Sequence, residues 1–147
     1  MEDILTFTTP EHRWLSNMTY VNIEYNGLIY QSTENFYQAM KYKSQLTRKL
    51  ISTLKPHESK SYSRNNLMTN EKFEERKVDI MLYAQRKKYS QEPFRSKLLS
   101  TEDCLLEEGN WWGDKFWGVD IKTREGENHL GKIIMQVRED MNNDNSK

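Results

Sequence analysis

The sequence predicts an α+β fold, helix-rich, with a small, mainly antiparallel sheet, folded as one compact domain over residues 1–141. Three observations predict it. Asn26-Gly27 lies between two short runs of alternating apolar and polar residues, the strongest two-residue hairpin signal. Apolar residues recur at helical spacing over 33–42, 69–89 and 129–141, the mark of amphipathic helices. No linker, internal repeat or low-complexity block divides the 147 residues, and a chain of this length buries on the order of 70% of its extended surface as one domain.

Taken in order, Ile4 to Thr8 alternates and carries β-branched residues, so it reads as a short strand ending at Pro10. Tyr20 to Tyr25 and Leu28 to Gln31 form the hairpin around Asn26-Gly27. Ser32 or Thr33 can cap the next helix, which runs to about Tyr42. Leu46 to Thr53 is a shorter helix, and Pro56 suits the first position of another through Tyr62. Thr69 or Asn70 opens the longest helix, with Phe73, Lys77, Ile80, Met81 and Ala84 on one side, reaching Tyr89. Glu92 to Leu99 is helical, Cys104 to Glu107 a strand, and His129 to Met141 a helix burying Leu130, Ile133, Ile134 and Val137. The tail Asn142 to Lys147 is expected to be flexible.

Composition removes several classes of function. The mean hydropathy of −0.96 and the lack of an apolar run of roughly 18 residues exclude membrane spanning. Cys104 is the single cysteine and the amino terminus carries no basic-then-apolar leader, so a reducing, cytoplasmic setting is expected. His12, His57 and His129 stand isolated and no CxxC pair exists, so no metal and no cofactor are expected. Nucleophile-elbow, P-loop and dinucleotide glycine motifs are absent from the sequence. The 22 basic and 22 acidic residues cancel, but unevenly: residues 41–97 net +9 between flanks of −4 and −5.

Three features could carry chemistry. On the 33–42 helix, Glu34, Gln38 and Lys41 fall on one face, and the helix dipole would favour an ionised Glu34. A solvated charged face would look the same, and spacing alone does not choose. The stretch Asn110 to Asp120, NWWGDKFWGVD, holds four aromatic and two acidic residues, more rings than one strand face can bury. Flat rings can hold a heterocycle, or simply form a core edge. The basic middle, with Lys41, Lys43, Lys60, Arg64, Arg76, Lys77, Lys87 and Lys88, is too interspersed with acids for a nucleic-acid patch but suits a small phosphorylated ligand.

Several stretches, in order, match a known family: LSN at Leu15 to Asn17, GLIYQSTENFYQAMK at Gly27 to Lys41, KVDIMLYAQRKKY at Lys77 to Tyr89, LLST at Leu98 to Thr101, DKFWG at Asp114 to Gly118, and GENHLGKIIMQVR at Gly126 to Arg138. The chain resembles the YbiA-like N-glycosidases, the NADAR domain family. The resemblance implies a compact α+β domain that hydrolyses a carbon–nitrogen bond between ribose and a nitrogenous base or amine, in a phosphorylated ribosyl compound of the riboflavin-intermediate type. Members similar to this also act on ADP-ribose attached to guanine in nucleic acid.

Carried over by position, the glutamate of the SxE motif is Glu34, and the D-x-x-W-G turn supplies Asp114, Trp117 and Gly118. Several members place Asp directly after that Trp-Gly, where this chain has Val119, with Asp120 one position later. The resemblance therefore makes Glu34 the principal catalytic carboxylate, kept ionised by Lys41, and Asp114 or Asp120 the second acid. Trp117 and Trp112 would stack on the base or ribose, while Ser16 and Asn17, with Gln38, Gly118 and Asn128, would complete the substrate pocket. Arg64, Lys77 and Lys88 would hold the phosphate. The expected partner is a small phosphorylated ribosyl substrate, with ADP-ribosylated nucleic acid as the alternative and no obligate protein partner. A third reading, a module that binds ADP-ribose or NAD without cleaving it, follows from Val119.

Overall fold

The computed structural model describes residues 2–145. Its elements are the hairpin strands β1 (Ile23–Tyr25) and β2 (Leu28–Tyr30), helices α1 (Thr33–Ala39), α2 (Gln45–Thr53), α3 (Pro56–Asn65), α4 (Phe73–Tyr89) and α5 (Phe94–Ser100), strands β3 (Gly109–Asn110) and β4 (Val119–Asp120), and α6 (His129–Asn145). The class is α+β with helices in the majority, as the sequence predicts. The chain divides into two compact units, Asn17–Lys88 and Met1–Ser16 with Tyr89–Lys147. Among the described residues no helix is long and apolar enough to cross a membrane.

In the unit Asn17–Lys88, β1 and β2 pair antiparallel with Tyr25 opposite Leu28, leaving Asn26 and Gly27 as a two-residue turn. Both have positive φ, 49° and 82°, the conformation that Asn and Gly tolerate best. Ser32 caps α1, its Oγ accepting from the Asn35 N–H at 3.0 Å. Asn35 in turn donates through Nδ2 to the carbonyls of Ile51 and Leu54, at 3.0 and 2.8 Å, and so closes the end of α2. The core here is Ile23, Tyr30, Phe36, Ala39, Ile51, Phe73, Met81 and Ala84.

α1 stops at Ala39 rather than Tyr42. The cause is a tight exit: Lys41 and Tyr42 donate to carbonyls three residues back, and the Met40 carbonyl is taken by Asn70 Nδ2 at 2.9 Å. The same contacts delay α4. Thr69 and Asn70, its expected caps, donate their N–H groups to the Lys41 carbonyl, so the helix opens only at Phe73.

In the unit Met1–Ser16 with Tyr89–Lys147, the two expected strands at Ile4–Thr8 and Cys104–Glu107 reduce to a single parallel bridge, Ile4 to Leu106. The ladder is cut short because side chains replace backbone partners. Asp3 Oδ1 takes the Leu105 N–H at 3.0 Å, and the Thr6 hydroxyl takes the Gly109 carbonyl at 2.9 Å. A two-residue parallel pair, β3 with β4, forms instead and is not predicted by the sequence. α6 buries Leu130, Ile133, Ile134 and Val137, and it continues to Asn145, into the tail expected to be flexible. Ser146 and Lys147, the end of that tail, lie outside the described residues.

Candidate functional site

The start of α1 gathers the polar groups of the unit Asn17–Lys88. Asn17 is an acceptor at both of its oxygens there: its carbonyl accepts from the Glu34 N–H at 3.1 Å and from Thr33 Oγ1 at 3.3 Å, and its Oδ1 accepts from Thr33 Oγ1 and Gln85 Nε2, both at 2.7 Å. Its Nδ2 points to Met81 Sδ at 3.7 Å. The Asn17 amide, expected to meet substrate, is thus engaged in joining α1 to α4. Glu34 sits above this joint. It is 8% exposed and Gln38, one turn on, is 4% exposed, so this helix face is not solvated. Gln38 Nε2 donates to Glu34 Oε1 at 2.8 Å.

Lys41 follows one turn later and half-buried. Its Nζ lies 5.6 Å from the ring centroids of Tyr37 and Phe73, within cation–π range. Burial pushes its ammonium below the usual lysine range, while the Glu34 and Glu74 carboxylates pull the other way and Lys60 and Lys77 reinforce the drop. Those causes place Glu34, Lys41, Lys60 and Lys77 in one electrostatic neighbourhood. Lys77 also pairs with Glu74 at 2.9 Å.

The other expected phosphate ligands differ from Lys77. Arg64 is exposed near the end of α3. Lys88 is fully buried, and burial pushes its ammonium down to about 7. An exposed phosphate face made of Arg64, Lys77 and Lys88 together is therefore not formed, because one of the three is interior.

In the other unit, the D-x-x-W-G turn is shaped by its own acid. Asp114 Oδ1 accepts from the backbone N–H groups of Phe116 and Trp117 at 3.2 and 2.9 Å, and its own N–H and carbonyl are held by the Asn110 side chain. Gly118 has a packing reason: a Cβ there would lie 2.1 Å from the Glu108 carbonyl oxygen. Asp120 Oδ1 accepts from the N–H groups of Lys122 and Thr123, both at 2.9 Å. The Thr123 and Lys122 bonds hold its carboxyl below the usual carboxylate range. Val119 is buried in β4.

Asn128 is engaged as Asn17 is. It is buried with φ 51°, its Oδ1 accepts from Glu108 N–H and its Nδ2 donates to the Leu106 carbonyl, both at 3.0 Å. Ser16 closes the short 3₁₀ turn Arg13–Leu15, its N–H donating to the Arg13 carbonyl. Of the aromatic residues, Trp111 and Trp112 are exposed, 68% and 48%, and meet edge to face at 5.0 Å. Trp117 is half-buried against Phe116 and His129.

Sequence reasoning misses one residue of the α1 neighbourhood and does not single out another. Gln85 interrupts the apolar side of α4 one turn after Met81, a polar residue on a core face, and that was the available signal. Lys60 looks like any other member of the basic middle; only its proximity to Lys41 distinguishes it.

Comparison with known proteins places this geometry in a group. The NADAR domain model matches residues 6–142. A riboflavin biosynthesis protein of Vibrio vulnificus is 31% identical over 146 residues, which cover 96% of this chain and 39% of that protein. The chain therefore spans well under half the length of that relative. An N-glycosidase of Nostoc punctiforme is 31% identical over 134 residues, covering 87% of this chain and 85% of the relative. The NMR structure of the E. coli protein YbiA superimposes with a TM-score of 0.83 at 25% identity, covering 100% of this chain and 90% of that one.

Proposed function

Because the chain belongs to the NADAR domain family, we propose that it is an N-glycosidase that hydrolyses the carbon–nitrogen bond between ribose and a nitrogenous base or amine in a phosphorylated ribosyl compound. The observation that carries this reading is a buried carboxylate, Glu34, held by Gln38 at 2.8 Å and electrostatically coupled to Lys41. The names of the two relatives, one an N-glycosidase and one a riboflavin biosynthesis protein, support it.

Breaking an N-ribosidic bond builds positive charge on the anomeric carbon and ring oxygen. A fixed carboxylate beside that carbon stabilises the charge more than a mobile, hydrated one, since the dipoles around it need not reorganise. It also orients or deprotonates the attacking water. Lys41 lies in the field of the Glu34 carboxylate and offers a donor to the departing nitrogen. Lys77, with Lys60 in the same field, supplies positive potential for the phosphate.

Asp120 is poorly suited to donate a proton, because its carboxyl is held ionised by two backbone N–H groups. Asp114 spends one carboxylate oxygen on its own turn. In this reading both act mainly by fixing the 114–123 segment that carries Trp117. Hydrolysis of this bond calls for no metal or cofactor.

One observation favours a second substrate. The exposed Trp111–Trp112 pair offers stacking faces for bases, which suits removal of ADP-ribose from guanine in nucleic acid. The test is to incubate the protein separately with a ribosylaminopyrimidine 5′-phosphate and with an ADP-ribosylated guanine oligonucleotide, and to measure release. Release from the first alone supports the proposal; release from the second alone replaces it. Binding of ADP-ribose with release from neither leaves a non-catalytic module.

A further inference from the structure

Gln38 uses one end of its amide and leaves the other unused. Its Nε2 donates to Glu34 Oε1, which fixes the amide plane and turns the carbonyl away from the carboxylate. That carbonyl oxygen is buried and has no hydrogen-bond partner among the described residues. Such oxygens are uncommon in folded proteins, because an acceptor removed from water without a donor is destabilising. The carboxylate beside it can only accept when ionised, so the pair presents acceptors and calls for a donor on the ligand.

The position of that donor follows from covalent geometry. The two ends of an amide are separated by a single carbon, so Gln38 Oε1 lies within a few ångströms of the Glu34 carboxylate. In the proposed reaction Glu34 faces the anomeric carbon of the ribose. The hydroxyl donor on the carbon next to it is the 2′-OH. Hydrogen bonds to this hydroxyl strengthen as the sugar becomes cationic.

We propose that Gln38 Oε1 accepts from the ribose 2′-hydroxyl and makes the protein selective for ribosides over 2′-deoxyribosides. This rests on the N-glycosidase reading and narrows its substrate class. Gln38 then has two roles through one amide: Nε2 positions the carboxylate, and Oε1 reads the sugar.

The experiment compares wild type with Gln38→Met, which keeps an unbranched side chain but no comparable acceptor. Each is given a ribosylaminopyrimidine 5′-phosphate and its 2′-deoxy counterpart. The quantity read is the ratio of kcat/KM for the ribo over the deoxy substrate. Comparing this ratio between proteins cancels the intrinsic lability of deoxyribosides. It also cancels any loss of Glu34 positioning, which acts on both substrates alike. The ratio should fall by about 10- to 100-fold in the variant, the scale expected for loss of one hydrogen bond to the sugar.

An unchanged ratio with good turnover overturns the role of Gln38 and leaves the hydrolase reading standing. A second measurement needs no variant and no turnover: calorimetric binding of ribose 5-phosphate and 2-deoxyribose 5-phosphate to wild type. The ribose compound should bind at least about tenfold more tightly. Equal affinities overturn the inference, whereas absence of turnover on every riboside, with the affinities still unequal, removes the hydrolase reading instead.

Discussion

Gln38 donates its side-chain amide to the carboxylate of Glu34 across 2.8 Å, one turn along the same helix, and both side chains are buried. A pair of this kind holds the carboxylate in one orientation before any ligand arrives. Glu34→Gln is nearly isosteric, so fold and ligand binding should persist while turnover drops at least ~100-fold, the scale of a positioned acid–base group. Single-turnover kinetics with calorimetry on the same preparation checks this. A near wild-type rate would remove Glu34 from the reaction.

Lys77 shares its charge with Glu74 at 2.9 Å. Lys77→Ala should raise KM for a 5′-phosphorylated substrate about tenfold or more and leave KM for the dephosphorylated compound nearly unchanged, as expected for loss of a charge-assisted bond. Glu74→Gln removes that ion pair and should lower KM for the phosphorylated substrate. Parallel changes for both substrates in either variant would exclude a phosphate contact.

Asn128 bonds the backbone of Glu108 and Leu106 with its two amide ends while itself in a left-handed conformation. Asn128→Ala removes both bonds and places a Cβ-bearing residue without Asn's local compensation at positive φ. It should destabilise the fold by about 2–4 kcal/mol, read from the denaturant midpoint. Loss of activity with unchanged stability would point instead to a substrate contact.

Lys88 links stability to pH. Burial lowers its folded-state value from 10.5 to about 7, so between these limits the unfolded chain holds a proton that the folded chain does not. Stability from this group therefore rises with pH from about 7 to about 10.5. Below about 7 the burden of an interior charge is fully present. Lys88→Met should flatten the increase in Tm between pH 7 and 10. Thermal denaturation across that range, wild type beside variant, reports the difference.

How much of this was legible in the sequence depends on the range of the forces involved. The Asn26-Gly27 turn and the helices of the middle segment are local, and they appear where periodicity and turn chemistry predict them. The row Glu34, Gln38, Lys41 was legible as a row, but its burial was not. What lies over it, Asn17 and Phe73, comes from elsewhere in the chain. The parallel pair β3 and β4 is two residues long on each side, too short for any pattern. Asn17, Asp114 and Asn128 look like ligand contacts in a motif, yet each satisfies backbone or neighbouring side-chain groups. Short polar side chains do this wherever the chain leaves regular structure, and sequence does not distinguish the two uses.

The division into two units has an electrical consequence. Asn17–Lys88 carries 13 basic and 7 acidic side chains, net +6, and the remainder carries 9 and 15, net −6. The neutral total is two opposite fields, and only one of them attracts an anion. On the proposed reading, capture of a phosphorylated substrate is steered toward the unit that holds Glu34 and Lys41, and added salt should slow association by shortening the reach of that field. The exposed tryptophans stand on the unit that repels polyanions. A small ligand with one or two phosphates is tolerated by such a surface far better than a long nucleic-acid strand, whose charge repeats every few ångströms.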